Sequence, residues 1–332
     1  MTISDIAKMA GVSSAAVSRY LNGGPLSAEK RAAIHLVIEK TGYAPDAAAQ
    51  TLRTGKVNQI GVITPNISSQ SVGQMITGIS QELDASRYLM LLVNTELRQD
   101  RELNYLAAMQ RNYVAGVILM GTVYTPALAQ ALRECRVPVV ITGQRFPEMS
   151  CVYNDDRAAA CELTARMIAR GRRHLGYIAG PEEDVATGYE RRLGVEQALE
   201  EAGLDRSSLH CVHCSAFTLE EGARCMEQLL QQCPELDGVI CVTDVVALGA
   251  WGVLRKAGRQ IGQDIGLAGI GDSWASAVVE PGLATVQFQQ QQVGVEAARM
   301  LVQMIGDKAH DQSKNLVRQM TLGYTVLERG SL

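Results

Sequence analysis

No run in this chain is apolar for long enough to span a bilayer, which takes about 20 such residues. After Met1 the sequence reads TISDIAK, with neither an apolar h-region nor a cleavage site, so the expected location is the cytoplasm. Charge of one sign is not in excess either: 31 basic residues meet 35 acidic ones, a net of -4. A C-x-x-C pattern occurs once, at Cys211-Val212-His213-Cys214, and nothing nearby completes a four-ligand set, so no metal is expected. The remaining cysteines stand mostly singly in apolar segments, as reduced, buried thiols do. No strand is followed by G-x-G-x-x-G or a Walker A loop, which argues against a nucleotide cofactor. The histidines, His35, His174, His210, His213 and His310, lie near no G-x-S-x-G and near no acid at a useful spacing, so no enzyme is expected.

What is present is unevenly spread. Residues 1 to 56 carry seven Lys or Arg against four acids, a net of +3, and the rest of the chain is at -7. A small basic module on a larger acidic body is the asymmetry of a protein that meets nucleic acid with one end. Thr2 with Asp5 three residues on reads as a capping box opening a helix over 3 to 10, which Gly11 ends. Ser13 caps a second helix to about Leu21, before Asn22-Gly23-Gly24-Pro25. Ser27 caps a third, closed by Gly42, and a short weak helical segment, DAAAQTL, follows Pro45.

Within this module GVSSAAVSRYLN, 11 to 22, has helical spacing but little side-chain bulk. Ala7, Gly11 and Val17 meet the needs of a helix-turn-helix: a small residue at the crossing, a residue tolerant of positive φ in the turn, and a branched residue pinning the second helix. Ile6, Ala10, Val12 and Leu21 complete a miniature core.

From residue 59 the texture becomes α/β. Apolar strands are expected at 60–65, 89–94, 116–121 and 137–143, and again at 175–180, 210–214, 238–243 and 265–270, with helical stretches between them. One such stretch places Val72, Met75, Ile76, Ile79 and Leu83 on a single face. Near-continuous apolar strands alternating with helices mean parallel sheets covered on both sides, here in two lobes.

TISDIAKMAGVSSAAVSRYLN resembles, almost residue for residue, the N-terminal signature of the lactose-repressor (LacI/GalR) family, and GYAPDAAAQTLRTGK resembles its hinge. The resemblance runs on through VYNDDRAAA, TGYERRLGVEQAL, TDVVALGAWGVL and GIGDSWASAVVEPGLATV, and DVATGYERR and CVTDVVALGA are nearest to trehalose-repressor-like members. It implies a three-helix headpiece over 1–45, a hinge helix and linker over 46–57, and a two-lobed core like a periplasmic binding protein. The first lobe is expected at 58–157 with 287–317, the second at 158–286 with 318–332. It also implies a homodimer on double-stranded operator DNA, with a sugar or sugar-phosphate effector between the lobes.

The second helix belongs in the major groove with its first turn at the base edges. Ser14 and Ala15 match the family's base-reading positions: Ser14 exchanges hydrogen bonds, whereas Ala15 offers only apolar contact. Arg19 has the reach for guanine or phosphate. Thr2, Ser13, Ser18 and Asn22 suit phosphates, which set register. Leu52 falls where the family's hinge wedges an apolar side chain into the minor groove.

For the effector, the matching positions are Arg191, Thr243, Asp244 and Asp272. Two departures stand out: Gly271 where a first acid is common before Asp272, and Thr243 where Asn is common before Asp244. Gln144 and Arg145 follow a strand whose carboxyl end faces a cleft on the rule for parallel sheets, and Trp274 is close enough to Asp272 to cover a sugar ring. Since the sequence shows no heptad tail, dimers rather than tetramers are expected. The competing reading is a sugar-binding sensor or transport protein without a regulatory role on DNA.

Overall fold

In the computed structural model the described residues are 1–21, 23–43, 57–111, 114–309 and 316–332. They fall into two units, Met1–Val57 and Asn58–Leu332.

The first unit holds α1 (Ile3–Met9), α2 (Ser14–Leu21) and α3 (Ala28–Thr41). The capping box forms as read: Thr2 Oγ1 accepts from the Asp5 N–H at 3.3 Å and Asp5 Oδ2 accepts from the Thr2 N–H at 2.8 Å. Gly11 turns the chain between α1 and α2 at φ +66°, a conformation side chains disfavour. Ile6, Ala7, Ala16, Val17 and Ile34 are buried together, with Ala10, Val12 and Leu21 packed around them. Small residues let α1 and α2 cross closely, so a core of few atoms suffices.

In the second unit a six-stranded sheet contains β1 (Gln59–Thr64), β2 (Leu89–Asn94), β3 (Gly116–Met120), β4 (Val139–Thr142), β5 (Ser150–Asn154) and β11 (Gln319–Leu322). Their order is β11-β5-β4-β3-β1-β2, and every pairing is parallel. A second sheet has β6 (Leu175–Ala179), β7 (His210–His213), β8 (Gly238–Cys241) and β9 (Gly266–Ala268) in the order β7-β6-β8-β9. Beside β9, the antiparallel pair β10 (Thr285–Phe288) and β12 (Tyr324–Leu327) is joined through Ala268 and Ala284.

Helices cover both sheets, as parallel strands require. On the first lie α4 (Gln70–Ala85), α5 (Gln99–Arg111), α6 (Pro126–Arg133) and α11 (Gln290–Ala309). On the second lie α7 (Asp156–Ala169), α8 (Arg191–Glu201), α9 (Leu219–Gln232) and α10 (Asp244–Lys256). Val72, Met75, Ile79 and Leu83 of α4 are buried as their spacing predicts, with Ile76 partly so. Helices α4 and α11 approach to backbone contact: a Cβ on Gly78 would stand 1.9 Å from the Gln291 carbonyl oxygen, so no larger residue fits there.

One expected boundary moves. Of the residues 318–332 expected in the second lobe, β12 pairs with β10 there, whereas β11 runs in register with β5, Gln319 opposite Cys151 and Leu322 opposite Asn154, and so completes the first sheet. The strand is short, at an edge and largely exposed, and QMTL has no apolar run to announce it.

Candidate functional site

On the headpiece, α2 hides one face and offers the other. Ala16 and Val17 are buried, whereas Ser13, Ser14, Ala15 and Arg19 are exposed and Ser18 is half-buried. Ser13 Oγ accepts from the Ala16 N–H at 3.3 Å, the capping bond expected of it. The C-terminal end of α2 is braced by α3: Tyr20 Oη lies 3.0 Å from His35 Nδ1, and Arg31 donates to the Gly24 carbonyl at 3.0 Å. Five of the basic residues, Lys8, Arg19, Lys30, Arg31 and Lys40, are exposed on this unit. Thr2 is occupied by its cap but remains at the surface. Asn22 and Leu52 lie outside the described residues.

In the second unit the carboxyl ends of the strands of both sheets collect polar side chains. Arg191, only 6% exposed, opens α8 after a wide turn over Val185–Glu190. Its Nε donates to Asp156 Oδ1 at 2.8 Å, its Nη1 donates to the Val242 carbonyl, and the guanidinium carbon stands 5.5 Å from the centre of the Phe288 ring. Burial lifts the Asp156 carboxyl to about 6, against the opposing pull of Arg191. Burial raises Asp184 as well, although its carboxylate caps the turn by accepting from the Thr187 N–H.

Thr243 follows Val242 and caps α10, its Oγ1 accepting from the Val246 N–H at 3.4 Å. Asp244 is buried and fully engaged: Oδ1 accepts from Thr285 Oγ1 at 2.6 Å, and Oδ2 from the Ser273 N–H and Ser276 Oγ at 2.6 and 2.7 Å. Asp272, at φ +46°, accepts from Arg329 at 2.7 Å and from Gln287 at 2.8 Å. Both acids are thus supplied with donors by the protein itself. The Trp274 side chain is exposed, and its backbone N–H donates to Gln70 Oε1 at 3.1 Å.

The first sheet contributes differently. Gln144 is buried, with Nε2 donating to the Thr122 carbonyl and Oε1 without a partner, and Arg145 beside it is exposed. Thr64, Asn94 and Thr142 end β1, β2 and β4, and the strand register sets them in one row on one face. Among the described residues each keeps a buried side-chain oxygen without a partner, and so does Asn154 at the end of β5. Such groups lose about 1–3 kcal/mol each until a donor reaches them.

Two contacts join the lobes across this region. The Gln70 amide, besides accepting from Trp274, donates to the Asp272 carbonyl at 3.3 Å, and Val123 pairs with Asp184 as an antiparallel bridge. Arg191, Thr243, Asp244 and Asp272 are therefore brought together around Val242, Gln144 and Arg145 stand in the opposite lobe, and Trp274 is exposed. Asp156, Asp184, the strand-end row and Gln70 escaped the sequence reading. The signal was available for one of them, since Asp156 is the second acid of VYNDDRAAA.

A helix-turn-helix unit ahead of a two-lobed core with polar strand ends defines a DNA-binding regulator of the ligand-responsive class. The chain belongs to the LacI family: residues 2–46 match the model of bacterial regulatory proteins of the lacI family, and residues 57–324 match that of periplasmic binding proteins and the sugar-binding domain of LacI family members. It is 31% identical over 316 residues to the HTH-type transcriptional regulator CelR of Thermobifida fusca, covering 92% of each chain. With the sucrose operon repressor of Staphylococcus xylosus it shares 28% identity, over 93% of this chain and 95% of that one. Among solved structures it is similar to a CelR–cellobiose complex, at TM-score 0.75 and 26% identity with all of both chains covered. The lac repressor dimer bound to operator has the same fold, at TM-score 0.89 and 19% identity over 100% and 98% of the two chains.

Proposed function

We propose that the protein is a cytoplasmic, homodimeric repressor of a carbohydrate-utilisation operon whose hold on its operator is set by a sugar bound between the lobes. The observation that carries the DNA half is α2, whose buried Ala16 and Val17 seat it while Ser14, Ala15 and Arg19 stand free at its surface. Small residues let the helix approach the bases closely, and Arg19 supplies the long arm for guanine or phosphate. Thr2, Ser13, Ser18 and Asn22 hold phosphates, and Leu52 wedges at the operator centre. One headpiece makes too few contacts for a specific site, so two are required on a near-palindrome.

For the effector half, the unpartnered oxygens of Thr64, Asn94, Thr142, Gln144 and Asn154 favour a ligand rich in O–H donors. Arg191, already engaged by Asp156 and Val242, grips a hydroxyl with its remaining donors rather than serving as one of several free cations. That combination favours an uncharged sugar over a sugar phosphate. Cellobiose, sucrose, ribose and trehalose, with their phosphates, form the set for a thermal-shift screen, in which a bound sugar raises Tm with its concentration.

The DNA reading is tested by a gel shift on the DNA upstream of the gene at several salt concentrations, where affinity should fall steeply as salt rises. Failure to bind any duplex at low salt overturns it and favours a sugar sensor instead. Leu52→Ala should weaken operator binding far more than non-specific binding, and equal losses on both would remove the wedge.

A further inference from the structure

At the amino-terminal ends of β4, β5 and β11, a cavity of about 540 Å³ opens among α6, the loop before β5 and the end of α11. It lies at the other end of the first sheet from the polar row, which stands where the strands finish. Its volume is within the roughly 300–1,000 Å³ of small-molecule sites. Leu132, Val139 and Met149 give it an apolar wall. Leu316 and Val317 line it too, yet they are 74% and 49% exposed, so apolar surface at this place is left to water.

Two cations and two anions complete the lining. Arg318 and Asp307 close on each other at 3.0 Å, and Arg318 also donates to Gln303, so that pair is already matched. Arg133 and Glu148 are exposed, and among the described residues neither side chain has an ion pair or a hydrogen bond, with each other or with anything else. The carboxylate of Glu148 stands there against the preference of its own backbone. The turn Phe146–Met149 is closed by the Met149 N–H on the Phe146 carbonyl at 3.4 Å, with Pro147 in second place and Glu148 in third at φ +59°. This is the pattern of a type II turn, whose third place ordinarily takes glycine or asparagine. Left-handed backbone at such a residue is strain of the kind that collects at ligand sites.

We propose that this cavity binds an apolar α-amino acid, with its carboxylate on Arg133, its ammonium group on Glu148 and its side chain against Leu132, Val139 and Met149. A ligand of one charge would meet one of the two unmatched groups and oppose the other, and a sugar brings a charge for neither. A zwitterion with an apolar body answers both charges and the wall together. The site shares no residue with the polar row or with Arg191, Asp244 and Asp272, so it stands independently of the sugar reading.

The full chain is titrated with L-leucine, L-phenylalanine and L-methionine by calorimetry and by thermal shift. At least one of them should bind and raise Tm with its concentration. Isoamylamine and isocaproate, which keep the leucine side chain with one charge each, should bind about tenfold or more weaker than leucine, as the loss of a hydrogen bond to a charged group entails. Arg133→Gln and Glu148→Asn should weaken amino-acid binding by a similar factor. Asparagine suits the left-handed turn, so Glu148→Asn should melt no lower than the parent when no ligand is present, which separates a lost contact from a lost fold. Three results would each overturn the site: no binding of any of the three amino acids, binding that both variants retain in full, or the amine or the carboxylate alone binding as tightly as leucine.

Discussion

The headpiece and the inter-lobe region use polar residues in opposite ways. On α2 the groups expected to touch DNA are outside the packing: Ser14, Ala15 and Arg19 are exposed, and the fold of the unit depends on Ile6, Ala7, Ala16, Val17 and Ile34 instead. Between the lobes, Arg191, Asp156 and Asp244 are buried, Arg191 bonded to Asp156 and Asp244 to Ser276, so these residues are also part of the core. The difference predicts which functions can be altered without cost to stability. A DNA reader built from surface side chains is free to change specificity, while an effector site built from interior ones changes fold and function together.

The largest effect should come from Arg191→Ala. It removes one partner of a buried ion pair and leaves Asp156 without its cation, a change that costs about 3–5 kcal/mol. The expected result is a clear fall in Tm together with loss of the sugar-induced shift, with low-salt binding to non-specific duplex retained because the headpiece is a separate unit. A variant with unchanged Tm would show that Arg191 is a surface group and would break the contrast.

Next in size is the pH dependence that the same pair gives the core. The Asp156 carboxyl stands at about 6 in the fold and at 3.8 when free, mainly through burial. A raised carboxyl favours folding while it is protonated, so this contribution is complete below about 4 and is lost as pH rises through about 6. Asp156→Asn cannot titrate. Its neutral amide stands in for the protonated carboxyl, so urea midpoints of parent and variant should be similar below about pH 4 and the parent should fall beneath the variant as pH rises through about 6, and midpoints that instead draw together would reverse the assignment.

How much of this was legible in the sequence follows from the same division. Headpiece helices are local objects: Thr2, Gly11, Ser13, Ser27 and Gly42 are caps and turns that act within a few residues, so their pattern is visible in a short window. Eight strands were visible for the same reason, because each lies in a largely apolar run of the sequence. Strands β5, β10, β11 and β12 were not, since SCVYN, TVQF, QMTL and YTVL mix polar with apolar residues, and β11 is in addition an exposed edge whose partner lies about 170 residues away in the chain. At the proposed effector site, Arg191 and Asp244 were named through the family pattern, but nothing local could show that Thr285, Ser273 and Ser276 already satisfy Asp244, or that Thr64, Asn94 and Thr142 form a row. Closeness of Trp274 to Asp272 in sequence could not show that its side chain would be exposed.

Arg19→Ala is the corresponding cut on the headpiece. It removes an exposed side chain whose backbone carbonyl accepts from the Gly24 N–H and would keep doing so, so Tm should hardly move. Operator affinity should fall by about 1–3 kcal/mol if the guanidinium reads a guanine, with relaxed specificity at one base pair. If it holds a phosphate, specific and non-specific binding should weaken alike and the salt slope should shrink by about one. Both outcomes keep reading separate from folding, and a large loss of headpiece stability would not.

Ser13 is the position where the two uses meet, and there the expected effect is smallest. Its hydroxyl caps α2 through the Ala16 N–H, and in the proposed complex it also faces a phosphate. Ser13→Ala should lose both roles, with about 1 kcal/mol of cap stability gone. Two other substitutions pull the roles apart. Glycine at an N-cap costs only a few tenths of a kcal/mol, so Ser13→Gly should keep the helix and lose the hydroxyl contact. Aspartate caps as well as serine and suits the positive end of the helix, so Ser13→Asp should leave Tm unchanged or raised, yet its charge opposes the phosphate. If Ser13→Asp melts like the parent and binds operator more weakly than Ser13→Gly, the hydroxyl lies against the DNA backbone. If all three variants bind in proportion to their helix stability, Ser13 is a cap alone, and the separation of reading from folding on α2 begins one residue later, at Ser14.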